Sequence, residues 1–145
     1  MRLYLDLCAL QRPLDDQTQF RVRTEAEAVL NVLTLCETGT LRLIASSVHT
    51  IENARCPFPD RRVYVEDTLA MADIYMPMEE AVARRARSYE AGGIKALDAL
   101  HLAAAVEAHA DFFCTTDDTL LRRSREANTG STVVVSPLEL ILRLR

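Results

Sequence analysis

The chain has 145 residues, 49% of them hydrophobic and 26% charged, with four glycines and five prolines, a balance that excludes disordered, fibrous and low-complexity proteins and fits one helix-rich domain. A net charge of −4 argues against a sequence-independent nucleic-acid coat protein, and no apolar run reaches the ~20 residues that span a bilayer. Cys8, Cys36, Cys56 and Cys114 form no C-x-x-C pair, and the start "MRLYLDLCAL" is too short an apolar run for a signal peptide, so a cytoplasmic protein with reduced thiols is expected.

In chain order, "RLYLDL" reads as a buried first strand ending in Asp6, followed by a loop around Pro13. Thr24 with Glu27 makes a capping box for a helix through Glu37, stopped by Gly39. "LRLIAS" is a second strand, and Ser46 or Ser47 caps the helix "VHTIENAR". Pro57 and Pro59 break the chain before a helix from Asp60 to about Ala72, and "IYMP" makes a brief third strand. "EEAVARRARSYEAGG" has acids in its first turn, arginines later and glycines at its end, as the helix dipole and a C-terminal cap favour. "KALDALHLAAA" continues as a helix to about His109, "FFCT" is a strand, "DDTLLRRSREA" a helix, "TVVV" a strand, and Ser136–Pro137 opens a terminal helix running to Arg145. Strands alternating with helices predict an α/β domain with a mostly parallel sheet over residues 1–145.

In open α/β sheets the ligand site lies beyond the carboxyl ends of the strands. Asp6 ends the first strand and Asp117 follows "FFCT", while Glu52 and Asp98 lie early on helices that start at the same edge. Four carboxylates from distant positions are therefore candidates to converge. Two like charges ~4 Å apart repel by about 4 kcal/mol at an effective dielectric of ~20, and a hard divalent ion relieves that repulsion. Each acid also has a plain structural use: Asp98 complementing the helix dipole, Asp117 capping a helix, Glu52 on an exposed face, Asp6 in a turn. Arginine supplies all the cations except Lys95, in clusters that include Arg122 and Arg123, and its planar fork suits phosphate.

These segments resemble the PIN domain family of small metal-dependent nucleases, and within it the stand-alone toxins of VapC type. "LDLCAL" resembles its opening acidic strand, "IASSVHTIEN" its second motif, and "GGIKALDALHLAAAVEAHADFFCTTDDTLL" its third and fourth motifs in close succession. The closing "VVVSPLELI" is similar to the end of such domains, so the resemblance runs over essentially the whole chain, although no motif falls between Arg55 and Ala91. It implies a three-layer α/β/α sandwich with Asp6, Glu52, Asp98 and Asp117 as the acidic quartet and Thr116 and Ser46 as supporting hydroxyls. In "TTDD" Asp117 is the position the pattern implies, with the adjacent Asp118 as the alternative for a shared or substitute ligand role.

The resemblance further implies RNA cleavage with Mg²⁺ or Mn²⁺, leaving a 3′-hydroxyl and a 5′-phosphate. Asp6, Asp98 and Asp117 are the expected ligands, Glu52 is a ligand or a water-orienting base, and Lys95, Arg122 and Arg123 are the expected phosphate contacts. A cognate antitoxin is the implied partner. Apolar helix faces such as "VYVEDTLAMADIYMPM" offer a surface for it or for a homodimer, with core packing as their alternative use.

Three other readings compete. His101 follows Asp98 by three residues and His49 precedes Glu52 by three, which places each pair on one helical face and suggests a His/carboxylate transition-metal site; PIN domains often carry a histidine in the "DALHLA" block that packs against the core instead. A phosphotransferase with Asp6 as nucleophile needs a second acid two residues on, where Cys8 stands. A catalytically inactive RNA- or protein-binding module of the same fold is the third.

Overall fold

The computed structural model describes residues 1–144. The elements are β1 (Arg2–Leu5), α1 (Leu7–Gln11), a 3-10 turn (Arg12–Leu14), α2 (Phe20–Glu37), β2 (Arg42–Ser46), α3 (Ser47–Ala54), α4 (Pro59–Leu69), β3 (Ile74–Met76), α5 (Glu80–Ala91), α6 (Ala96–Glu107), β4 (Phe112–Cys114), α7 (Asp118–Glu126), β5 (Val133–Val135) and α8 (Pro137–Arg143). All strand pairs are parallel, in the order β3-β2-β1-β4-β5. A parallel sheet needs both faces covered, and the strands accordingly read as apolar runs.

Alternation along those runs divides the core into two layers. Tyr4, Ile44, Phe113 and Val134 face the side packed by α3, α5, α6 and α7, through Val48, Val82, Leu102 and Leu120. Leu3, Leu5, Leu43, Phe112, Cys114 and Val135 face α1, α2, α4 and α8, through Leu10, Val32, Val65 and Leu140. The result is the expected three-layer α/β/α sandwich. The chain moves outward from β1 through β2 to β3, then returns through α5 and α6 to place β4 on the other flank of β1. Strand order thus reverses between β1 and β4, where such folds open a crevice.

Several local expectations are corrected. The segment expected as a loop around Pro13 is α1 plus the 3-10 turn, because the Asp6 side chain caps α1 and Pro13 sits early in the turn, where its missing N–H costs nothing. Strand β1 consequently stops at Leu5. Thr24 does not start α2: its hydroxyl donates to the Phe20 carbonyl at 2.9 Å, inside a helix that begins four residues earlier. Helix α4 ends at Leu69 rather than Ala72, as turn bonds from Met71 and Ala72 take over. Helix α8 ends at Arg143, and Arg145 lies outside the described residues. Among the described residues, no helix is long and apolar enough to cross a membrane.

Candidate functional site

The register of β1 against β4, with Leu5 opposite Cys114 and the Asp6 amide donating to the Cys114 carbonyl at 3.1 Å, sets Asp6 beside the residues that follow β4. Asp6 is 2% exposed. Its Oδ1 accepts from the Ala9 amide at 2.9 Å, and its Oδ2 accepts from the Thr115 hydroxyl at 2.6 Å and from the Cys8 thiol at 3.6 Å. Burial nonetheless pushes the Asp6 carboxyl up to about 6; the bonds from Thr115 and Ala9 and the nearby His101 oppose the shift, and the charge of Asp98 adds to it. Burial and the same Asp6 charge push the Cys8 thiol well up, which keeps it protonated and donating.

Thr115 links two acids, since its Oγ1 also accepts from the Asp117 amide at 3.1 Å. The hydroxyl on Asp6 is therefore that of Thr115, which the sequence pattern passed over in favour of Thr116. Thr116 is buried and offers its carbonyl to Arg21 at 3.4 Å. Asp117 caps α7, with Oδ1 accepting from the Thr119 and Leu120 amides at 2.9 and 3.1 Å. Its other oxygen has no hydrogen-bond partner among the described residues. Asp118 is engaged elsewhere: Arg21 grips it with two bonds of 2.7 and 2.8 Å and holds its carboxyl below the usual range.

Asp98 lies in the first turn of α6, half-buried, and its carboxylate has no hydrogen-bond partner among the described residues. Its carboxyl is raised by burial and by the charges of Asp117 and Glu52, against the opposing influence of His101 and Lys95. A cavity of about 100 Å³ is lined by Lys95, Asp98, Asp117, Thr119, Leu120 and Arg123. Arg123 is held there by a bond to the carbonyl of Gly93, whose φ of +100° ends α5 in the left-handed region. Arg122 is exposed on α7 and does not line this cavity.

Glu52 approaches from α3 and accepts from His101 Nε2 at 2.8 Å. It also lines a groove of about 620 Å³ that runs past Leu7, Arg55, Phe58 and Leu97. Ser46 caps α3 and lies buried behind Glu52, away from the acids, in contact with Tyr4 and His49. Both ring nitrogens of His49 and both of His101 are occupied by protein partners, so a His/carboxylate metal centre has no free imidazole here. Sheet parity was the available signal for this inner group: Tyr4 and Ser46 alternate onto the face that α6 covers.

The structure therefore sets Asp98 and Asp117 in one cavity, brings Glu52 and Asp6 within the influence of the Asp98 charge, and sends Asp118 to Arg21. No set of three His, Cys, Asp or Glu groups among the described residues closes into a ready-made metal cage. The donor set nevertheless suits Mg²⁺ or Mn²⁺: it is all oxygen, mutually repelling, and open, with Asp98 and one oxygen of Asp117 unclaimed. Mg²⁺ usually binds one or two carboxylates and keeps its waters rather than entering an all-protein cage.

No protein-family model matches the sequence, and no curated protein matches it. Among solved structures, the chain is similar in fold to one from the crystal structure of VapBC2 from Rickettsia felis bound to a DNA fragment from their promoter, with a TM-score of 0.62 and 10% identity over 94% of this chain and 98% of that one. At that identity the likeness is one of fold: a PIN-like α/β/α sandwich on an all-parallel five-stranded sheet.

Proposed function

We propose that the protein is a metal-dependent endoribonuclease, the toxin of a type II toxin–antitoxin pair acting in the cytoplasm. The observation that carries this reading is Asp98: a half-buried carboxylate without a donor, raised by burial and by the charges of Asp117 and Glu52. The helix dipole offsets part of the cost of that burial, and a cation would offset the rest. The likeness to a chain from a VapBC complex supports the toxin assignment and an antitoxin as partner.

Asp98, Asp117 and Asp6 are the residues that would hold Mg²⁺ or Mn²⁺. When bound, such an ion supplies Lewis acidity and charge neutralisation for phosphodiester hydrolysis. Glu52, at the rim of the crevice, orients the attacking water. Water adds to phosphorus, the bond to the 3′ oxygen breaks, and the released proton ends on that oxygen, leaving a 3′-hydroxyl and a 5′-phosphate. Lys95 and Arg123 line the cavity beside Asp98 and hold the flanking phosphates.

The test incubates RNA with wild type and Asp98→Asn, in Mg²⁺ and in EDTA. Cleavage only by wild type in Mg²⁺ is expected; cleavage that survives either change, in preparations free of contaminating nuclease, overturns the assignment. Co-purification with the product of an adjacent small reading frame checks the antitoxin.

A further inference from the structure

Behind Glu52 the core holds a chain of polar groups that the cleavage chemistry does not use. Tyr4, Ser46, His49 and His101 are each at most 1% exposed. Their rings pack together: Tyr4 stacks on His49 with centroids 4.5 Å apart, meets His101 edge-on at 5.7 Å, and His49 lies 5.1 Å from His101.

With His101 neutral and Glu52 ionised, the hydrogen bonds in this cluster run in one self-consistent direction. The Leu5 carbonyl, 2.7 Å from His49 Nε2, only accepts, so Nε2 carries the proton. The Ser46 amide donates to His49 Nδ1 at 3.1 Å, so that nitrogen is bare and already used. Burial holds His49 neutral, with its pKa lowered to about 3. The Ser46 hydroxyl accepts from the His49 amide and lies 2.7 Å from the Tyr4 oxygen and 3.3 Å from His49 Nδ1; since Tyr4 gives its own proton to His101, the shorter contact takes the Ser46 proton. Tyr4 in turn donates to His101 Nδ1 at 2.6 Å, and His101 Nε2–H donates to Glu52 Oε1 at 2.8 Å. Every member is satisfied, and the chain ends on a carboxylate.

We propose that Tyr4 and His101 are positioning residues, a relay anchored on Ser46 and His49 that fixes the ring and tautomer of His101 so that its Nε2–H holds Glu52 at the acid cluster. Apolar residues at positions 4 and 101 would fill the same space without desolvating a phenol and an imidazole. What the polar chain adds is a directed donor at Glu52. That carboxylate stands near Asp98, whose charge repels it, and a side chain 27% exposed has room to swing into the groove. One bond from a locked imidazole holds it while leaving Oε2 free. Such outer partners of a metal-site acid or histidine change affinity or rate by about 10–100-fold when removed.

The consequence for cleavage rests on the nuclease reading, and the tests are chosen to separate the two. Tyr4→Phe keeps the ring and removes the donor. It is expected to lower kcat about tenfold with little change in KM, and to weaken Mg²⁺ binding in calorimetry. In a Glu52→Ala background the same substitution should change neither quantity, because Tyr4 acts through Glu52; equal effects in both backgrounds, or no effect in wild type, overturn the relay. Ring ¹⁵N spectra of the metal-free protein should show the Nε2–H tautomer for both His49 and His101, and an Nδ1–H form at His101 overturns it as well. If wild type cleaves no RNA, the nuclease reading fails and the spectra with the Mg²⁺ titrations still decide the relay.

Discussion

The Thr115 hydroxyl donates to Asp6 Oδ2 at 2.6 Å and accepts from the Asp117 amide at 3.1 Å, so one side chain ties the end of β1 to the start of α7. The crevice between the two central strands is stitched at the point where strand order reverses. Thr115→Val keeps the shape and removes both bonds. A hydrogen bond to a charged group contributes about 1.5–3 kcal/mol, so urea unfolding at pH 8 should show a loss in that range. The loss should shrink at pH 4, where Asp6 is protonated and the bond no longer serves a charge. RNA cleavage should fall together with stability at pH 8.

Asp6 makes the metal-free protein more stable in acid. Its carboxyl sits at about 6 in the folded chain, above the ordinary 3.8, so folding favours the protonated form. The associated stability is fully present below pH ~4 and is lost as pH rises through about 6. A carboxyl pKa raised from 3.8 to about 6 corresponds to about 3 kcal/mol. Asp98 is shifted in the same direction and adds to the slope. Chemical denaturation between pH 4.5 and 8 should show stability falling with pH in EDTA, and Asp6→Asn should flatten the curve. Saturating Mg²⁺ should stabilise more at pH 8 than at pH 5, because protons and the cation compete for the same oxygens.

The two neighbouring aspartates should separate cleanly. Asp117→Ala removes a helix cap, costing about 1 kcal/mol, and also an acid of the crevice, so both thermal stability and cleavage should drop. Asp118→Ala breaks only its exposed pair with Arg21 and should leave cleavage at the wild-type level. Parallel melting curves and cleavage assays of the two variants decide this; a greater loss of cleavage in Asp118→Ala would move the fourth acid to that position.

Lys95 and Arg123 share the cavity with Asp98 and Asp117, whereas Arg122 does not. Substituting Lys95 or Arg123 by Gln should weaken binding of single-stranded RNA and reduce the salt dependence of log K by about 0.7 for each phosphate that is no longer neutralised. Arg122→Gln should leave that slope unchanged. Fluorescence anisotropy in EDTA across a range of salt concentrations reads the slope without cleavage.

The strands, their parallel arrangement and most helices were legible because their signals are local: apolar runs such as "VVV" and "FFC", caps at Ser46 and Ser136, a left-handed glycine at position 93. Asp6 directly follows β1, Asp98 lies in the first turn of α6 and Asp117 caps α7, whereas Glu52 lies in the second turn of α3. The helix before Pro13 is not legible in the sequence because its five residues are too few for periodicity and its cap, Asp6, also reads as the end of a strand. Thr24 misled as a cap because a threonine hydroxyl satisfies a carbonyl inside a helix as readily as an amide at its start.

Sequence by itself determined the order of the strands and the longer helices and pointed to four acids at one edge of the sheet, since alternation and capping depend only on near neighbours. Tertiary structure alone decided that Thr115 rather than Thr116 bonds Asp6, that Asp118 rather than Asp117 pairs with Arg21, and what His101 faces. Those choices depend on partners far along the chain: Asp6 lies 109 residues from Thr115, Arg21 lies 97 from Asp118, and Glu52 lies 49 from His101. A hydrogen bond has a reach of about 3 Å, and which groups come within it is set by strand register and helix packing rather than by local sequence.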